Sequence, residues 1–202
     1  MRNVLLTSIA SVGLMGSLQA ATVLADRIVV TNSILNANGN TTVATHWAEV
    51  QVFQLTTGTN IAASANGGTA TANSTGYGGV PSRANDGNTD GNFGNGSVYH
   101  DNDPDPVPGA APDVFTIAFS GLFSVDSFNI WGRSDTGTER DNNFVVEFYN
   151  GTTLVGRNST GITATSAPFS TGVTPIIAVP EPTSFATGLL SLGVLGLRRR
   201  RA

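Results

Sequence analysis

Between Asp26 and Pro180 the apolar residues return at every second position, in short runs broken by Gly, Asn, Pro and Asp, and no long run has a period of 3.6. Side chains of an extended strand alternate between two faces, whereas those of a helix repeat every three to four positions, so this spacing predicts strands. Val50 and Val52 share one face of Ala48 to Phe53, and Phe115, Ile117 and Phe119 share one face of Asp113 to Phe119. Phe128 and Ile130 do the same within Val125 to Trp131. Phe144, Val146 and Phe148 precede the pair Asn150-Gly151, a type I′ hairpin signal leading into Thr152 to Val155. Strands with one apolar face bury it against a second sheet. The pattern therefore predicts an all-β chain folded as an antiparallel β-sandwich.

The 202 residues leave about 150 for this core once the two ends are set aside, which suits one domain. Cysteine is absent, which excludes disulfides, thiolate metal sites and a cysteine nucleophile. Every basic side chain is an arginine, and between Asp26 and Pro180 thirteen carboxylates face five arginines. A balance that acidic repels phosphate backbones, so nucleic acid is excluded as an expected partner.

Both ends read as addresses. Arg2 precedes an apolar stretch from Val4 to Leu18, and Val23-Leu24-Ala25 offers a small-residue cleavage site before Asp26, which predicts a secretory leader, a signal helix, over residues 1–25. At the other end Val179, Pro180, Glu181 and Pro182 lead into an apolar stretch, Phe185 to Leu197, and then into Arg198, Arg199, Arg200 and Arg201. A helix over that stretch would be about 20 Å long, short of a bilayer's hydrocarbon core, so it would hold the membrane only with its arginines snorkelling to the cytoplasmic side. Residues 179–202 resemble the PEP-CTERM sorting signal of Gram-negative bacteria. The resemblance implies recognition by exosortase, a membrane transpeptidase, after transient anchoring in the inner membrane, and delivery to the cell surface or an extracellular, polysaccharide-rich biofilm matrix.

Within residues 26–178 the stretch from Ala65 to Pro112 is rich in Gly, Asn and Asp and has little periodicity, and long loops of that kind are usually functional or ordered by ions. Pro81-Ser-Arg-Ala-Asn-Asp-Gly-Asn-Thr-Asp-Gly-Asn-Phe-Gly-Asn-Gly-Ser-Val-Tyr-His100 and Ile130-Trp-Gly-Arg133-Ser-Asp-Thr-Gly-Thr-Glu-Arg140 together resemble the fucolectin-type members of the galactose-binding-like, or F5/8 type C, family. That resemblance implies a galactose-binding-like jelly roll in which His100, Arg133 and Arg140 donate hydrogen bonds to a sugar, with exopolysaccharide or another glycan as partner. Where fucose binders set two adjacent cysteines, this chain carries Thr136 and Gly137.

Two readings of these residues stay open at this stage. Arg133 and Arg140 could instead pair with Asp135 and Glu139 to pin a loop. Asp86, Asn88, Asp90 and Ser97 supply oxygens of the type that hold a structural calcium ion, or they cap their own backbone as Asx turns. His46 is expected in packing or at the surface rather than as a ligand, and the two tryptophans, Trp47 and Trp131, in core or rim packing. Neither histidine sits in a motif that would activate a nucleophile, and nothing singles out a carboxylate pair, so a non-enzymatic surface protein is expected. A purely structural or adhesion module without a sugar site is the first rival, and a polysaccharide hydrolase the second.

Overall fold

The computed structural model describes residues 21–32, 45–102, 113–135, 144–160 and 169–180. Their strands are β1 (Val23–Asn32), β2 (His46–Gln54), β3 (Thr69–Ala72), β4 (Tyr99–His100), β5 (Val114–Gly132), β6 (Phe144–Asn150), β7 (Thr153–Thr160) and β8 (Thr174–Pro175). Every pairing between them is antiparallel, in the order β4-β2-β5-β1-β6-β7, with β3 and β8 both joined to β5. The expected signal helix and C-terminal apolar helix lie outside the described residues. Among the described residues no helix is long and apolar enough to cross a membrane.

The two strands expected at Asp113–Phe119 and Val125–Trp131 are one strand. Ser120-Gly121 resembles a turn in sequence, but the chain bends there without reversing. Between the partners Ala25↔Phe123 and Arg27↔Ala118, β5 sets residues 119–122 against Asp26 alone. The first half of β5 pairs with β1 and β3, the second with β2 and β8, so one strand serves both layers. Aromatic contacts show that the layers meet face to face. Trp47 of β2 lies 4.8 Å from Phe144 of β6, and Phe128 of β5 lies 5.8 Å from Phe148, though β2 and β6 are not neighbours in the ladder. The alternating residues singled out by sequence, Val50, Val52, Phe115, Ile117, Phe128, Ile130, Phe144, Val146 and Phe148, all enter this core, and the all-β sandwich is observed. The hairpin after β6 departs in detail. Its central residues are Gly151 and Thr152, with a left-handed φ of 55° at Gly151, while Asn150 closes the ladder against Thr153. One positive φ at the first central residue is the II′ pattern, for which Gly is the suitable residue.

The chain's last described segment seals the sandwich. Residues from Ser170 run along the outer edge of β5, where Ile176 N donates to Asp126 O at 2.8 Å, and then cross to β7. There Arg157 N donates to Ile177 O (2.9 Å) and Val179 N to Val155 O (3.0 Å). Buried Asn158 ties the crossing from both sides, donating to Pro175 O and accepting from Ile177 N. Gly156 is required beneath it, because a Cβ there would stand 2.7 Å from Ile176 Cγ2. Ile176 is fully buried in the shared core. Its truncation to Ala is expected to destabilise the domain by about 2–5 kcal/mol. Urea unfolding should show a lowered midpoint with an unchanged slope.

Candidate functional site

The loop between β3 and β5 covers the outer face of β2, and buried polar side chains hold it there. Asn85 donates from Nδ2 to Ala62 O (3.0 Å) and Gly68 O (3.1 Å), and Asn60 Oδ1 accepts from Val52 N and Ala62 N. Glu49, fully buried on β2, accepts from Gly87 N at 3.1 Å through Oε2. A buried carboxylate is costly in its charged form. Burial, seconded by the negative charge of Asp86, pushes Glu49 up to about 7 against the lowering effect of the Gly87 and Asn60 hydrogen bonds.

From that anchor the loop turns through a ladder of side-chain caps. Asp86 Oδ1 accepts from Asn88 N (2.8 Å), Asn88 Oδ1 from Asp90 N (3.0 Å), Asp90 Oδ1 from Asn92 N (3.0 Å) and Asn92 Oδ1 from Gly94 N (2.9 Å). Asp90 Oδ2 holds Asn95 Nδ2 at 2.7 Å, and Ser97 Oγ lies against the carbonyl oxygens of Asp90 and Asn92. The four oxygen-bearing residues expected for calcium are thus together on one loop, each engaged with that loop's own backbone. Among the described residues no three His, Cys, Asp or Glu side chains are grouped as they would be around a metal ion.

His100 ends the loop on the edge strand β4, opposite His46 of β2. Their Nε2 atoms are 2.9 Å apart, and His100 Nδ1 lies 2.6 Å from the carbonyl oxygen of Asp101. A carbonyl only accepts, so His100 Nδ1 carries a proton, and the two Nε2 atoms share one hydrogen bond. Both ring nitrogens of His100 are occupied inside the protein. Tyr77, at 4.7 Å, and Phe93, at 5.4 Å, cover the ring, and Gly79 permits this because a Cβ there would meet His100 N at 2.5 Å. Tyr77 takes a left-handed φ of 53° and is largely exposed, a strained placement held by flanking glycines.

Arg133 also contacts Phe93, its guanidinium carbon 4.8 Å from the centre of that ring. It grips Asp135 through Nε–Oδ1 at 2.5 Å and Nη2–Oδ2 at 3.2 Å. Of the expected sugar triad, His100 and Arg133 both contact the Phe93 ring, and Arg140 lies outside the described residues. Beside Arg133 the loop docks on the end of β5 through Gly91, whose carbonyl accepts from Ser134 N at 2.8 Å. An open cavity of about 200 Å³ lies at that junction, lined by Asp90, Thr89, Ser134, Phe169 and the half-buried Trp131. The indole is oriented by Nε1–H donating to Gln51 Oε1 at 3.1 Å.

Sequence reasoning placed Trp131 in core or rim packing, and the rim is where it stands; that reasoning passed over Glu49, Tyr77 and Phe93. A carboxylate between Ala48 and Val50, inside an apolar strand, was the available signal for Glu49. The aromatic covers of His100 carried none, because their contact is made by the loop's path.

Among the described residues Val179 is the last bonded to β7, and Pro180 has no N–H to donate to the ladder. Residues 178–202 match the PEP-CTERM protein-sorting motif. Val179 and Pro180 of that motif are described; Glu181, Pro182 and Arg198 to Arg201 lie outside the described residues. The PEP-CTERM match supports an exported chain whose C-terminal segment is processed at the membrane by exosortase. No curated protein and no solved structure matches the chain.

Glu49 gives the site a measurable pH signature. The folded domain holds the Glu49 proton more tightly than the unfolded chain does, so this group's contribution to stability is full at acid pH and is lost as pH rises toward and through about 7. Thermal melts of wild type and Glu49→Gln are expected to be closest near pH 5 and to diverge by pH 8, with the variant the more stable there.

Proposed function

We propose that the chain is a non-catalytic module of the cell surface or extracellular matrix that engages exopolysaccharide at the rim around Trp131 and Arg133. The observation that carries the surface assignment is the PEP-CTERM motif, whose first residues, Ala178 and Val179, are the last of the described residues to meet β7. The N-terminal leader completes the export route within the same proposal.

For the glycan, support comes from the open cavity that sets an oriented indole beside Asp90, Thr89 and Ser134. An indole edge with polar groups around it suits the apolar face and hydroxyls of a sugar ring. Arg133 follows Gly132 of the cavity lining in the chain, and its guanidinium is fixed between Asp135 and the Phe93 ring. His100 serves this rim indirectly, by holding Phe93 and Tyr77. The galactose-binding-like relationship belongs to the same proposal and is supported by the β-sandwich and by the position of Arg133 directly after β5. A shallow site of this size binds single sugars weakly, and useful retention on a polymer comes from repeated engagement.

Calcium is a companion proposal for the Asp86–Ser97 loop. Its support is the spacing of Asp86, Asn88 and Asp90 at alternate positions before Gly91. Because the loop's own hydrogen bonds already close it, the ion would add stability rather than create the fold, so millimolar calcium is expected to raise the melting temperature and a chelator to reverse the rise. A melting temperature indifferent to both removes calcium from the account.

Affinity electrophoresis through gels cast with the producing organism's exopolysaccharide tests the glycan site. Trp131→Ala is expected to weaken retention about tenfold, equivalent to about 1.4 kcal/mol, while Trp131→Phe keeps most of it. Unretarded wild-type protein would favour the adhesion or structural module without a sugar site. Release of reducing ends from the same polymer would favour the hydrolase.

A further inference from the structure

The expected leader cut after Ala25 falls inside a strand. β1 begins at Val23 and runs between β5 and β6; its first three residues pair with Val125, Ser124 and Phe123. Val23 and Ala25 are buried in the common core, 6% and 0% exposed. Asp26 sits at the register shift and accepts from Gly151 N at 2.7 Å. Removing residues 23–25 would strip the edge of β5 just where it bends and open the core at Val23. The described chain is tied two residues further out: Ala21 N donates to Ile176 O at 3.0 Å. A leader-removing peptidase needs a small residue on the leader side of the bond, and Ala20 supplies it.

We propose that the leader is removed at the Ala20–Ala21 peptide bond, so that the mature chain starts at the residue bonded to Ile176, at the root of the PEP-CTERM tail. This rests on reading the N-terminal stretch as a secretory leader. Water supplies the atoms: hydrolysis leaves a carboxylate on Ala20 in the departing leader and an ammonium on Ala21 in the domain. The ammonium keeps an N–H for Ile176 O and makes that bond charge-assisted. Val179 follows Ile176 by three residues, about 10 Å of extended chain, so the leader and the sorting tail leave the sandwich from one edge. The two export signals are then released from the same side of the folded domain, and the new N-terminus locks the segment that precedes the sorting motif.

The test uses the full chain expressed in an exporting Gram-negative host, with N-terminal sequencing of the exported protein. The expected start is Ala-Thr-Val-Leu. A start at Asp26, or at any residue inside β1, overturns the assignment of the bond while leaving the leader intact as a reading. An exported chain that still begins at Met1 overturns both. Pulse-labelled variants give an independent readout: Ala20→Lys is expected to accumulate uncut precursor and Ala25→Ser to be processed at the wild-type rate, and the opposite pattern overturns the proposal.

Discussion

The shared strand β5 is the constraint on which the rest of this structure depends. Its 19 residues are paired on both edges, first by β1 and β3 and then by β2 and β8. A strand that belongs to two layers cannot slip in one without moving the other, and a one-residue slip would turn every inward phenylalanine outward. The bend at residues 119–122 lets the two layers face each other, and the contact of Trp47 with Phe144 closes them. The site inherits this rigidity, because Trp131 and Arg133 lie at and just beyond the end of the same strand.

Around that end the protein uses buried polar groups to order a loop that has little apolar content of its own. Buried Glu49 accepts from Gly87 N of the loop, and buried Asn85 donates from the loop to Ala62 O and Gly68 O beneath it. The successive Asx caps from Asp86 to Asn92 then fix its outer course. A rim ordered in this way loses little further freedom on contact with a ligand, which matters where single contacts are weak. The same arrangement keeps a carboxylic acid, Glu49, poised near neutral pH as a consequence of support rather than of chemistry.

What sequence made legible was whatever local periodicity encodes. Phe115, Ile117, Phe144, Val146 and Phe148 had to alternate because one face of each strand is buried, and they do. The length of β5 was hidden because Ser120-Gly121 has the composition of a turn. β1 was obscured because its first residues, Val23 to Ala25, continue the apolar and small-residue character of the stretch before them, so no break in composition marks the strand's start. The contacts that build the site were illegible for a different reason: they join residues far apart in the chain, such as Glu49 with Gly87 and His46 with His100. His100 shows the cost, since its ring nitrogens meet His46 and the Asp101 carbonyl, partners that no local pattern marks.

The PEP-CTERM tail is where sequence, fold and destination meet, because the segment that seals the core passes directly into the motif. The most direct test of this account is the intact mass of the C-terminal fragment of the surface-exposed protein, compared between cells with and without exosortase. The account predicts that the surface protein lacks Arg198 to Arg201 only when exosortase is present. An extracellular chain that retains those arginines in exosortase-bearing cells, or a full-length chain dissolved in the cytosol, would contradict it.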